Sequence, residues 1–127
     1  MGDLSAVRIQ YQQYKLLEKG WCGDEDDPCP APAPESLALG EAFLAHIESV
    51  SNFRTPVAFL DHEGIPGLVW PSDDHYLYLS VAFYPDGDIV YYSWKKADAS
   101  QESGLFKIEN TTELEKLVEL IRKVSAS

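Results

Sequence analysis

The stretch Tyr76–Trp94 reads YLYLSVAFYPDGDIVYYSW, and it decides the fold. Before Pro85-Asp86-Gly87, the residues Leu79, Val81 and Phe83 alternate with Tyr78, Ser80, Ala82 and Tyr84; after it, Ile89, Tyr91 and Ser93 alternate with Val90, Tyr92 and Trp94. A period of two is the period of a strand. Proline at the second turn position presets φ, and glycine at the fourth accepts a left-handed backbone, so the two runs form a hairpin. Pairing Tyr84 with Asp88 sets Phe83 opposite Ile89, Val81 opposite Tyr91 and Leu79 opposite Ser93 on one sheet face. The other face then carries Tyr78, Tyr84, Tyr92 and Trp94 with Val90, and Tyr76 extends that row.

On the amino-terminal side of the hairpin, Val57–Leu60 and Leu68–Trp70 are short apolar runs separated by the turn His62-Glu63-Gly64. On the carboxy-terminal side, Ala97–Gly104 reads as a polar loop and Leu105–Ile108 as an edge strand. Thr112 with Glu115 forms a capping box for a last helix, whose stripe is Leu114, Leu117, Val118, Ile121 and Val124. Leu4, Val7, Tyr11, Tyr14 and Leu17 recur at helical steps, predicting a helix from Leu4 to Glu18 that stops at Lys19-Gly20. A second helix is predicted from Glu35 to Ser51, with Leu37, Gly40, Leu44 and Ile47 on its stripe; Gly40 there suggests close approach of another element. Between the helices, Trp21–Pro34 holds Asp24-Glu25-Asp26-Asp27 and alternating prolines, which suit an extended crossing loop.

The predicted fold class is therefore α+β: two N-terminal helices, an antiparallel sheet of four to five short strands with a central hairpin, and a C-terminal helix packed on the sheet. One domain over residues 1–127 accounts for all of it, because a chain of this length buries enough surface for one core.

Ten Lys plus Arg stand against twenty-one Asp plus Glu, a formal charge of −11. Like charges repel at range, so direct binding of nucleic acid or an anionic membrane is disfavoured, while a basic protein surface is attracted. No apolar run reaches the length of a membrane span. The first residues lack the basic and apolar regions of an export signal, which predicts a cytoplasmic protein with Cys22 and Cys29 as free thiols.

Catalytic and metal patterns fail on their own chemistry. Asp24, Asp26 and Glu35 fit three positions of a calcium loop, but Pro28 stands where an oxygen ligand belongs and Cys29 replaces the turn glycine. Cys22, Cys29, His46, His62 and His75 have no zinc spacing. No nucleophile elbow or phosphate-cradling loop is present. No catalytic residue, metal ligand or cofactor is predicted. The candidate binding residues are Asp24, Glu25, Asp26 and Asp27, with Tyr78, Tyr92 and Trp94 if that face is not covered by a helix.

Trp21 and Gly23, Pro32-Ala33-Pro34-Glu35-Ser36-Leu37, Gly67-Leu68-Val69-Trp70 and Tyr84-Pro85-Asp86-Gly87 together resemble a group of small uncharacterised bacterial proteins. Cys22 and the Asp24–Asp27 run stand apart from that pattern. Such proteins are often encoded in mobile or defence-related regions, so the resemblance implies an accessory, inhibitory role. The function expected is a non-enzymatic binding protein of the antitoxin, immunity or anti-defence type. The alternative is a small enzyme or ligand-binding domain with a pocket near His62 and His75.

Overall fold

The computed structural model describes residues 4–49, 53–70, 78–95 and 100–126. Along the chain run α1 (Ser5–Tyr14), α2 (Pro34–Glu48), β1 (Val57–Leu60), β2 (Pro66–Trp70), β3 (Tyr78–Phe83), β4 (Asp88–Lys95), β5 (Ser100–Lys107) and α3 (Thr111–Ala126). The strands form one antiparallel sheet in chain order, β1-β2-β3-β4-β5. The α+β class is as read from the sequence, with three helices and, of the two strand numbers, the larger among the described residues.

The central hairpin keeps the register its residues dictate. Phe83 faces Ile89, Val81 faces Tyr91 and Leu79 faces Ser93. The Tyr84 N–H donates to Asp88 O at 2.9 Å, and the Gly87 N–H donates to Tyr84 O at 3.1 Å. Gly87 has φ 94°, a region closed to branched side chains.

All three helices lie on one side of this sheet. Leu68, Trp70, Leu79, Val81, Phe83 and Ile89 point to that side and are wholly buried. Helix α2 sets Leu37, Phe43, Leu44 and Ile47 against β2 and β3, with the Phe43 and Phe83 rings 5.4 Å apart. Helix α3 adds Leu114, Leu117, Ile121 and Val124 beside β2 and β3. Helix α1 packs on α2 and on β1 through Val7, Tyr11 and Tyr14. Gly40 makes the close approach possible, since a Cβ there would stand 2.5 Å from the Tyr11 ring and 3.1 Å from Phe83. The Tyr11 hydroxyl donates to Gly67 O at 3.2 Å. Burial first, then the neighbouring Tyr14 and Glu41, push its phenol far above the ordinary range.

Four boundaries differ from expectation. Helix α1 ends at Tyr14, not Glu18, and the chain then tightens through Leu16 N–H to Gln13 O and Leu17 N–H to Tyr14 O. It must turn there to bring Gly20 to Cys29, whose carbonyl accepts the Gly20 N–H at 2.7 Å. Helix α2 closes at Glu48 because the Ser49 N–H and hydroxyl both turn back to His46 O; the expected end at Ser51 lies outside the described residues. Strand β5 begins at Ser100, within the stretch expected to be a loop, because Gln101, Glu102 and Ser103 pair with Trp94, Ser93 and Tyr92. The cap of α3 is Asn110 rather than Thr112: its Oδ1 accepts the Glu113 N–H at 3.3 Å.

Candidate binding surface

Directly opposed residues share a face, so the registers define the outer side of the sheet row by row. Phe59, Gly67, Ala82, Val90 and Leu105 make the first row; Val57, Val69, Ser80, Tyr92 and Ser103 the second; Tyr78, Trp94 and Gln101 the third. No helix among the described residues covers these rows. Leu105 is 63% exposed, Val57 54% and Tyr92 38%. Tyr78 and Trp94 stand side by side and are half-buried. The question of whether a helix covers this aromatic face is thus answered for the described residues; Tyr76 lies outside them. Val57, Phe59, Val69 and Leu105 belong to the same surface and were not singled out from the sequence. Each sits in a short run whose sidedness is fixed only once it is paired.

One end of the sheet is strongly acidic. Antiparallel pairing brings the turn between β1 and β2, the turn between β3 and β4, and the end of β5 together. They carry Asp61, Glu63, Asp86, Asp88 and Glu109. Lys107 answers part of this charge: its ammonium lies 2.6 Å from Asp88 and donates to Asp86 O at 2.8 Å. The bond to Asp88, with the charges of Asp86 and Glu109, holds the Lys107 pKa above its usual value.

The loop bearing Asp24, Glu25, Asp26 and Asp27 reaches the same end. Cys22 and Cys29 are joined as a disulfide with their Cα atoms 5.1 Å apart, which corrects the expectation of two free thiols. Compartment alone does not decide the pairing: a Gly23–Pro28 bridge sets the two cysteines side by side. Cys29 N–H donates to Cys22 O at 2.8 Å, and Trp21 Nε1–H donates to Pro30 O at 2.6 Å. Within the loop, Asp24 Oδ1 accepts the N–H groups of Asp26 at 3.1 Å and Asp27 at 2.8 Å. All four acids are exposed. Asp27, Cys22 and Cys29 share an open depression with His62 and Glu63 on the β1–β2 turn.

The predicted binding residues therefore fall into two groups. The acidic loop adjoins the β1–β2 turn at one end of the sheet, whereas Tyr78 and Trp94 lie toward the other end of the outer face, with Tyr92 between. His62 and Glu63 are exposed, and Asp61 Oδ1 accepts the N–H groups of Glu63 and Ile65, both at 2.9 Å, so turn formation explains this segment. His75, the other half of the alternative pocket, lies outside the described residues. Among the described residues no three His, Cys, Asp or Glu side chains are grouped to hold a metal ion, and no helix is long and apolar enough to cross a membrane. Comparison with family models, curated proteins and solved structures finds no match to this chain.

Proposed function

We propose that this chain is a non-enzymatic binding protein that captures a basic protein surface, in the manner of an inhibitor, antitoxin, immunity or anti-defence protein. The observation that carries the reading is the uncovered outer sheet face bordered at one end by acids. A contiguous apolar surface rimmed by charge is unusual on a chain that works alone and usual at an interface. The excess of negative charge would steer a basic partner onto the acidic end, and Tyr92 and Trp94 supply large amphipathic area for anchoring. A partner of this kind includes proteins whose own basic cleft binds nucleic acid, since carboxylates can compete for that cleft. The resemblance to small bacterial proteins of mobile and defence-related regions points the same way.

A cytoplasmic home belongs to this reading, and the Cys22–Cys29 bridge pulls against it, because disulfides persist in oxidising compartments. Counting free thiols after rapid acid quenching of host cells decides between them.

The functional test is affinity capture from the native host, followed by binding kinetics of the captured protein at two ionic strengths. Changing Asp24, Glu25, Asp26 and Asp27 together to Asn or Gln is expected to slow association and flatten its salt dependence. Trp94→Ala is expected to act mainly on dissociation. Unaltered rates and salt slope for the quadruple variant would leave the loop merely solvated and sink the electrostatic part of the proposal.

A further inference from the structure

The two edges of the sheet are protected very differently. Strand β1 is four residues long and follows Pro56, and α1 packs on its inner side. Strand β5 is eight residues long, SQESGLFK, with no proline, and among the described residues nothing pairs with its outer side. A long unprotected edge is a template for another strand.

The hydrogen-bonding direction of β5 follows from the central hairpin. Tyr84 N–H donates to Asp88 O, so Asp88 turns its backbone toward β3. In an antiparallel ladder alternate residues turn the same way. Val90, Tyr92 and Trp94 therefore face β3, and Ile89, Tyr91 and Ser93 face β5. The partners of the latter are Phe106, Gly104 and Glu102. That leaves the backbone N–H and C=O groups of Gln101, Ser103 and Leu105 directed away from the sheet. The ladder closes at Lys107, whose carbonyl accepts the Asn110 N–H at 2.9 Å.

We infer that β5 is a self-association edge, on which a second copy of this chain pairs antiparallel about a two-fold axis at Ser103. In that register Gln101 opposes Leu105 of the second copy, Ser103 opposes Ser103, and Glu102 opposes Gly104. The outward groups of Gln101, Ser103 and Leu105 are all satisfied, and no like charges are directly opposed, the two Glu102 side chains standing diagonally across the axis. The exposed Leu105 gains a neighbour on the same face. A chain of charge −11 repels its own copy, so any self-contact must lie where charge is locally balanced. Strand β5 comes nearest to that condition: Lys107 is already paired with Asp88, and Glu102 is the other charged residue among its eight. The acidic end, by contrast, would oppose any contact made there. The pairing adds strands at the edge and leaves the outer face open, so it stands independently of the capture of a basic partner.

Sedimentation equilibrium of the full chain over a range of concentrations and salt tests it. A monomer–dimer equilibrium is expected that tightens as salt screens the mutual repulsion. Ser103→Pro should weaken dimerisation at least about tenfold. The fold should survive this change, because proline is tolerated on an edge strand where the N–H faces outward. In hydrogen exchange, the amides of Gln101, Ser103 and Leu105 should become protected with concentration while those of Glu102, Gly104 and Phe106 are protected throughout. A chain that sediments as a monomer at every concentration and salt overturns the inference. So does a dimer unaffected by Ser103→Pro, or one that dissociates on adding salt. Loss of basic-partner capture with dimerisation intact would refute the proposed function and leave this inference standing.

Discussion

On the inner side of the sheet Leu68, Leu79, Val81 and Phe83 are closed off from water; on the outer side Val57, Tyr92 and Leu105 remain open to it. Both sides are built from the same strands and from similar apolar and aromatic residues. What separates them is where the helices go: α1, α2 and α3 all contribute their apolar stripes to one side. A sheet in a chain of this size is ordinarily two-layered, with its second face left polar. Here the second face is left apolar, and the net charge of −11 offsets the resulting tendency to associate at random. Composition of a strand therefore does not tell which of its faces is core; the covering layer does.

Substitutions can break or sharpen this contrast. The largest effect is expected at Phe83→Ala, which empties the space against Phe43 and should cost about 3 to 5 kcal/mol in urea unfolding. A loss under about 1 kcal/mol would mean that the inner layer is loosely packed and the contrast overstated.

Next is the acidic loop, which lies off the core and is held by a staple instead. Changing Cys22 and Cys29 together to Ser should cost about 2 kcal/mol, the loop-closure entropy of a short bridge, read as a lower melting temperature. An unmoved transition would show that the loop's hydrogen bonds hold it without the bridge.

Tyr11→Phe removes the hydroxyl bond to Gly67 O and should cost about 1 kcal/mol near neutrality. It should also change the alkaline limb. Burial raises the folded-state pKa of Tyr11, so the stability it contributes is intact below the ordinary tyrosine value of 10.0 and falls as the pH climbs above it. The Phe variant should lose stability less steeply in that range; an identical pH profile would count against burial of the phenol.

The smallest effect belongs to the outer face. Tyr92→Ser and Leu105→Ser should each change stability by less than about 0.5 kcal/mol. A cost of several times that would mean that something covers the face in the free protein.

The hairpin of β3 and β4 was legible in the sequence because alternation and Pro85-Asp86-Gly87 specify the same register independently. Strand β5 was half legible: Leu105 and Phe106 look like a strand, but Gln101, Glu102 and Ser103 have no apolar signal and are ordered by β4. The length of α1 was overestimated because Leu17 continues the helical stripe, while the backbone after Tyr14 tightens into turns that lead to the Gly20–Cys29 bond, which no local pattern announces. The acids of the candidate surface could be read directly. The nearness of Asp61, Asp86 and Asp88 to the row of Phe59, Val90 and Leu105, and their distance from Trp94, could not, since that depends on which turns share an end of the sheet. The uncovered face was undecidable from the strands, because Val, Tyr and Trp alternate with apolar residues on both sides.

The strand order has a consequence for how the chain reaches this structure. Each strand pairs with its neighbour in sequence, so the sheet can close one hairpin at a time, each over a short loop with little entropy to overcome. Helix α1 is in the opposite position. Its Tyr11 bonds a carbonyl 56 residues further along, and its docking site exists only after β1 and β2 have paired. During synthesis α1 leaves the ribosome before any strand and waits with Val7, Tyr11 and Tyr14 exposed until that surface is built. Helix α1 is thus made before the surface on which it docks.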